Sequence, residues 1–433
     1  MSAPTLTAAA LLLALAGAGA RAQSEAPAAD KEPAAGGALG DELREGFYSR
    51  LNVLAFGVYN DLRDGQRASN VLGFPRSQAE IDFRPDFSLS LRRFDFGLKP
   101  RLLYARDRLY ERVGEDDTDT RHRGYINEAY VRFRATENVT AILSRENLQW
   151  GPSALVSASN PFNPNNGKGN PNVELPGLDY VRLVAVPSPE WTVSLISNFR
   201  PGRLNKDDQV ATTGTGFPAS AQLAPPVGVD YSLLQREPFE KTHAVKLDYT
   251  GDGYYASAIV SHRRRGANRL GLFGGWNASD ALMLYAEGSA EREQAAQRAQ
   301  GAGGAPRRLL AGASYTLESG PTFSAEYFHN RSGCTLEPLL ACGAAAPPRL
   351  PLLRRRYALL QYVDTKLLGS VNLVVRVIRN LDDHSTLSTA NVEWEVGEHV
   401  QLYLVPTVSS GHDGAEFPNL PKRSLFFGLS YTY

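Results

Sequence analysis

The 433-residue chain has no long apolar run beyond its first twenty or so residues. No later window approaches the roughly 20 consecutive apolar residues that a membrane-spanning helix needs. Cysteine is scarce: Cys334 and Cys342 are the only two, and neither belongs to a Cys/His spacing that would hold zinc. No metal or other cofactor is expected. Charge of one sign is not in excess, because 46 Lys plus Arg face 46 Asp plus Glu, so net charge points to no acidic or basic partner. Basic stretches interleaved with aromatics are missing, which argues against nucleic acid. Signals of catalysis are missing too. There is no Gly-x-Ser-x-Gly elbow and no His-Glu-x-x-His, and the seven histidines are scattered. Gly301-Ala302-Gly303-Gly304 precedes no helix and so fails as a nucleotide loop. His329 shares the parity of Phe323 and Tyr327 and reads as an interface histidine. The chain is not expected to be an enzyme.

What the chain does contain is one kind of element, repeated. In Ile81–Arg92, Ile81, Phe83, Phe87, Leu89 and Leu91 alternate with Asp82, Arg84, Asp86, Ser88, Ser90 and Arg92. Successive strand side chains point to opposite faces, so one face here is apolar and the other charged. The parity switches across Arg92-Arg93, as a tight hairpin demands, and resumes with Phe94, Phe96, Leu98, Leu102 and Tyr104 against Asp95, Lys99 and Arg101. A charged face this long needs water, which a solvated lumen supplies and a packed sandwich does not. The hairpin recurs along the chain, from Tyr125–Arg134 with Val139–Gln149 to Thr386–Glu395 with Val400–Val408. Its turns carry Gly, Asp, Asn, Ser and Pro. Connections between hairpins are mostly longer, notably 107–124, 151–178, 199–240 and 331–356. Short turns alternating with long loops are the two-ended pattern of an outer-membrane barrel. With Leu51–Asn60 first and Ser424–Tyr433 last, about eighteen strands are expected, and an even count places both termini in the periplasm.

Ser424–Tyr433 closes the series. Leu425, Phe427, Leu429, Tyr431 and Tyr433 share one parity; Ser424, Gly428, Ser430 and Thr432 take the other, with Phe426 the exception. A glycine followed by two alternating aromatics resembles the C-terminal signal of bacterial outer-membrane proteins, through Gly428, Tyr431 and Tyr433. Phe427 departs from the usual polar residue, and Tyr433 stands where Phe is commoner. Trp150-Gly151 ahead of the Asn160-Pro161-Phe162-Asn163-Pro164-Asn165-Asn166-Gly167 stretch resembles a segment of several porin-like families. These resemblances imply an all-β, transmembrane, antiparallel up-and-down barrel in the bacterial outer membrane. Its partners would be outer-membrane lipid and lipopolysaccharide, the barrel-assembly machinery, and small hydrophilic solutes. No interface stripe decides between a monomer and a homo-oligomer.

The domain organisation follows. Leu6–Ala20 is small and apolar and Ala20-Arg21-Ala22 fits a cleavage site, so residues 1–22 read as a signal peptide, although no Lys or Arg lies in the first ten residues. Residues 23–46, rich in Ala, Pro, Glu and Gly, read as a disordered periplasmic lead-in. Residues 47–433 form the barrel. A barrel of this width is not filled by its own side chains, so a channel or an inserted loop is expected.

Parity assigns Asp82, Arg84, Asp86, Lys99, Arg101, Glu128, Arg132, Arg134, Arg182, Lys246, Glu287, Glu326, Arg376 and Glu393 to the lumen, where rings of charge set selectivity. Arg84, Arg101, Arg132, Arg134 and Arg182 concentrate in the first half and suggest an anion bias. The turn-rich 151–178 loop is expected to fold inward as a constriction, with Arg145, Glu146, Lys168 and Glu174 near the eyelet; a surface loop over the mouth is the alternative. Cys334 and Cys342, in one exposed loop of an oxidising compartment, are expected to form a disulfide. Two functions fit. One is a passive diffusion channel; the other is a barrel with a closed lumen whose loops, such as 199–240, hold a polysaccharide or protein.

Overall fold

The computed structural model describes residues 39–65, 74–108, 118–163, 174, 177–202, 241–263, 268–292, 307–335 and 352–433. A helix, α1 (Leu39–Gly46), leads directly into β1 (Phe47–Asp61). Hairpins follow: β2 (Ser77–Ser90) with β3 (Phe94–Arg108), β4 (Thr118–Arg134) with β5 (Val139–Glu146), β6 (Leu178–Ser188) with β7 (Trp191–Arg200), and β8 (Thr242–Gly251) with β9 (Tyr254–Arg263). Next come β10 (Asn268–Asn277) with β11 (Leu282–Glu291), β12 (Arg307–Thr316) with β13 (Thr322–Asn330), β14 (Arg356–Leu367) with β15 (Val371–Asn380), and β16 (Thr386–Glu395) with β17 (Val400–Ser410). β18 (Arg423–Thr432) is last and pairs with β1 from Asn52↔Thr432 to Asp61↔Arg423. All eighteen strands form one closed antiparallel sheet. Closure gives every strand a neighbour on both sides, so the ring has no free edge strand, although β4 pairs with β5 only over Ala129–Arg134.

Two solvents explain the strand faces. Outward positions carry exposed aliphatics, among them Leu143, Val181, Leu195, Val260, Leu272, Leu309 and Leu360. An apolar surface this extensive is not tolerated on a protein surrounded by water. Near the short turns the outward residues become aromatic. Trp191 packs on Tyr249 at 4.8 Å, Tyr249 on Tyr254 at 5.5 Å, and Phe323 on Tyr362 at 5.1 Å. An apolar band with an aromatic girdle is the outer surface of a membrane barrel. The expected barrel is thus the observed one, with short turns at one end and long connections at the other.

Four sequence expectations need correction. Residues 39–46 of the lead-in are helical, not disordered. Glu42 and Glu45 favour a helix, and the Glu42 carboxylate accepts the Arg92 backbone N–H at 2.9 Å, which ties α1 to the β2–β3 turn. The remainder of the lead-in and the 1–22 segment lie outside the described residues. β4 begins at Thr118, seven residues before the expected Tyr125. The register shift at Lys99/Pro100 is the cause: a bulge flips the inward parity, so Arg121, Arg123 and Tyr125 face the lumen with odd numbers while Glu128, Arg132 and Arg134 do so with even ones. β5 ends at Glu146 rather than Gln149. Finally, the lumen side of the closing strands is not water-facing throughout. Phe426 stacks on Phe56 at 4.9 Å and is buried with Leu54, Val58 and Val405, so an apolar cluster seals the β1–β18 seam from inside.

A charged wall and a loop inside the barrel

On β2–β6 the inward side chains form a ladder of ion pairs. Arg84 donates to Asp82 at 2.7 Å. Arg101 lies 3.0 Å from Asp86 and 2.6 Å from Glu174. Lys99 pairs with Glu128, and Arg182 donates to Glu146 at 2.5 Å. Arg134 reaches Asp95 at 2.9 Å, with Arg132 further off at 3.9 Å, and Arg121 reaches Asp107 at 2.7 Å. Each arginine is held by a carboxylate on the same or the neighbouring strand, so the wall alternates in sign. Glu174 comes from the 151–178 loop. Burial opposes its ionisation, but the Arg101 hydrogen bonds and the positive wall outweigh that and hold its carboxyl below the usual range.

The loop folds onto the inner wall. Leu148 packs with Leu178, Tyr180, Ile196, Ala244 and Ile259, on the inner faces of β6–β9. The chain then reaches β13, which lies eight places from β5 in the ring. There Glu326 accepts four hydrogen bonds: from Ser153 Oγ at 2.8 Å, Ala154 N at 2.6 Å, Leu155 N at 3.1 Å and Tyr285 Oη at 2.8 Å. Returning, Ser157 Oγ, Ser159 N and Ser159 Oγ all donate to Glu287 Oε1 on β11, at 2.9, 2.7 and 2.8 Å. Arg269 of β10 donates to the Ala158 carbonyl at 2.5 Å. The next turn is local. Asn160 Oδ1 accepts from Phe162 N and Asn163 N, its amide donates to Leu148 O, and Phe162 meets Tyr180 edge-on at 5.2 Å. Gly271 makes the approach possible, since a Cβ there would sit 2.6 Å from the Ser159 carbonyl.

The expected site residues therefore divide. Arg84, Arg101, Glu128, Arg132, Arg134, Glu146 and Arg182 share the charged wall, but Arg101 is buried beneath Asp86 and Glu174 and does not open onto the lumen as expected. Glu393 lies on the inner face of β16 and accepts from Asn391 and Gln401. Arg376 has the expected parity but is buried, donating to Gln361 at 2.6 and 3.0 Å, so it belongs to the wall's packing. Arg145 does not face the lumen: it follows Leu143 in parity, outward, and pairs with Asp179 at 2.7 Å. Adjacent strand residues point opposite ways, so Arg145 and Glu146 cannot share an eyelet. Glu287 and Glu326 are inward but serve as anchors for backbone N–H groups. Sequence reasoning missed Arg121, Arg123, Arg269 and Tyr285; the bulge hid the first two. Lys168 and Cys342 lie outside the described residues. Cys334 carries no free thiol, and its N–H bonds Leu353 O at 2.8 Å. Gly428, Tyr431 and Tyr433 lie at the seam, where Tyr433 N donates to Leu51 O at 2.8 Å.

At the long-connection end a second buried network joins three loops. Glu416, in the β17–β18 connection, accepts from Leu353 N at 3.0 Å, Tyr357 Oη at 2.5 Å and Asn380 Nδ2 at 2.7 Å. Its own N–H donates to Asp383 at 2.8 Å, and Arg354 lies 3.4 Å from that carboxylate. Burial pushes the Glu416 carboxyl up to about 7 despite its donors, and Asp383 nearby adds to the rise. Phe417 and Leu420 beside it pack in one apolar cluster with Leu155 and Val156 of the inner loop.

No protein-family model matches the chain, and no curated protein matches it in sequence. Solved structures do match. OccK5 (OpdH) of Pseudomonas aeruginosa superposes with a TM-score of 0.55 at 12% identity, over 90% of this chain and 98% of that one. OccK10 (OpdN) of the same organism gives 0.53 at 13%, over 90% and 99%. OccK11 (OpdR), also of that organism, gives 0.52 at 12%, over 90% and 98%. Identity this low speaks for backbone alone, and the backbone correspondence spans nearly the whole of each barrel. The chain thus has the eighteen-stranded fold of bacterial outer-membrane porins.

Proposed function

We propose that the chain is a porin-like channel of the bacterial outer membrane that passes small hydrophilic solutes by passive diffusion. The observation that carries this reading is the asymmetry of the lumen. The 151–163 segment lies against the β6–β13 wall, and the alternating charges of β2–β6 are left to line the path. Ionic side chains facing a water-filled space lower the cost of dehydrating a polar solute. Arg84, Arg132, Arg134 and Arg182 bias that path toward anions, with Arg101 acting from behind Glu174 and with Glu128, Glu146 and Glu393 tempering it. Residues 1–22 act as an export signal removed on secretion. Gly428, Tyr431 and Tyr433 form the segment read by the assembly machinery, and a Cys334–Cys342 bridge stiffens the β13–β14 connection.

A second reading has its own observation. Loop residues Leu62, Phe74, Leu352, Phe417 and Leu420 pack with Leu155 and Val156 in a single apolar cluster, which favours a narrowed mouth and a barrel that binds a partner through its loops. Single-channel conductance of refolded protein in a planar bilayer, under a salt gradient, separates the two. Steady stepwise current with an anion-selective reversal potential is the expected result. Silence from folded protein, identified by its heat-modifiable gel mobility, refutes the diffusion channel in favour of the closed, surface-binding barrel.

A further inference from the structure

Next to the short-turn end, the inner faces of β7–β10 line a shallow, open recess that neither the charged ladder nor the loop anchors use. Its volume is about 450 Å³, and it is lined by Thr192, Asp248, Thr250, Tyr255, Ser257 and Phe273, with Tyr249 at its margin. The strand register sets these side by side, through Thr192↔Asp248, Asp248↔Ser257, Thr250↔Tyr255 and Ser257↔Phe273. Tyr255 lies across Gly275, where a Cβ would come within 2.6 Å of its ring. Its ring and that of Phe273 meet at 61° with centroids 6.4 Å apart, forming an apolar corner.

The polar side of the recess is half satisfied. Ser257 Oγ donates to Asp248 Oδ1 at 2.5 Å, and Lys246 donates to the same oxygen. Asp248 Oδ2 has no partner among the described residues and the Asp248 side chain keeps 25% of its surface exposed. The Lys246 ammonium, 5.4 Å from the ring centroids of both Trp150 and Phe273, cancels the carboxylate's charge. The recess thus combines a net-neutral ion pair, a partly exposed carboxylate, several hydroxyls and an aromatic corner. An anion gains nothing from a lysine already paired, and an apolar solute would strand the hydroxyls. A sugar or polyol fits both halves: its hydroxyls donate to the carboxylate and its C–H face rests on the rings.

We propose that this recess is a binding station for a neutral polyhydroxylated solute, a sugar ring or a polyol of similar size. The station rests on the channel reading for its purpose, since it stands in the lumen. The test uses the full-length barrel refolded in an amine-oxide detergent, which has no sugar headgroup to compete. Sorbitol and gluconate, alike in length but not in charge, are titrated calorimetrically into wild type, Asp248→Asn and Tyr255→Ala. The same solutes are then added to the bilayer channel as blockers. Sorbitol is expected to bind in the millimolar range, with gluconate weaker, and either substitution to weaken sorbitol about tenfold or more. Asp248→Asn is isosteric and carries the test alone if Tyr255→Ala fails to fold. No sorbitol binding by a folded, conducting barrel overturns the station and leaves the channel standing. Sorbitol binding by a barrel that never conducts supports the station and removes the channel. Gluconate binding as tightly as sorbitol, or sorbitol binding unchanged in both variants, overturns the assignment.

Discussion

The two halves of the inner wall use the same residue types to opposite ends. On β2–β6, carboxylates meet guanidinium groups of their own or adjacent strands, some pairs open to the lumen and others, such as those of Asp82, Arg101 and Asp107, buried. On β10–β13, Glu287 and Glu326 meet the hydroxyl and backbone N–H groups of a loop that starts on β5. The same side chain on the same face thus becomes half of an ion pair or a structural clamp, depending on whether backbone comes within reach. A lumen parity in a barrel strand therefore says where a charge points and not what it holds.

That contrast is open to test, from its largest consequence to its smallest. Glu326→Ala removes an acceptor of four hydrogen bonds and leaves buried N–H groups unmatched. Attachment of the loop should weaken by about 3 kcal/mol, seen as new proteolytic cleavage within Gly151–Asn163 and a larger, noisier single-channel current. Unchanged current would mean that the covered wall does not limit the path. Gly271→Val should act from the other side, because its side chain would meet the Ser159 backbone. Such overpacking costs about 2 kcal/mol, and the same cleavage should appear with both anchors intact. Arg101→Ala changes the charged wall and releases the loop residue held there, Glu174, but spares both anchors. It leaves Asp86 and Glu174 without their shared cation, and the reversal potential should move toward cation preference by roughly 1 kcal/mol, about fivefold in permeability ratio, with cleavage within Gly151–Asn163 unaltered.

The smallest effect concerns pH. Glu416 has a carboxyl raised to about 7 in the folded loops, against an ordinary value near ~4.3 once detached. Its contribution is therefore fully present below the ordinary value and is lost as pH rises through 7. Amide exchange at Leu353 and Glu416, corrected for intrinsic rates, should report loops held more firmly at pH 6 than at pH 8, by about 1 kcal/mol. Glu416→Gln should flatten the dependence.

Most of the fold was legible because lipid and water write a period-two code along every strand. Strand number, turn ends and most lumen parities followed from it. The code failed where a third environment intruded. Phe426 broke the alternation because the seam is apolar on both faces. The bulge beside Pro100 broke it again, so Arg121 and Arg123 were read as loop. The inward placement of Arg84, Arg101 and Arg182 was legible from their strands alone. The anchoring roles of Glu287 and Glu326 were not, since their partners lie 128 to 173 residues away. The error over Arg145 was avoidable, since the residue next to an inward Glu146 points outward.

The β1–β18 seam also bears on how such a molecule comes to exist. Its contacts, such as Asn52 Nδ2 to Thr432 Oγ1 at 2.8 Å, join residues 380 positions apart. The entropy of closing so long a ring grows only slowly with length, but topology of this kind folds slowly. Until β18 meets β1, the ring has two open edges and an unsealed apolar strip, which is the condition that invites aggregation. The contact of Phe56 with Phe426 exists only in the completed ring. Substitutions there should reveal themselves chiefly as lost yield and slowed maturation, while the few barrels that do close conduct as wild type does.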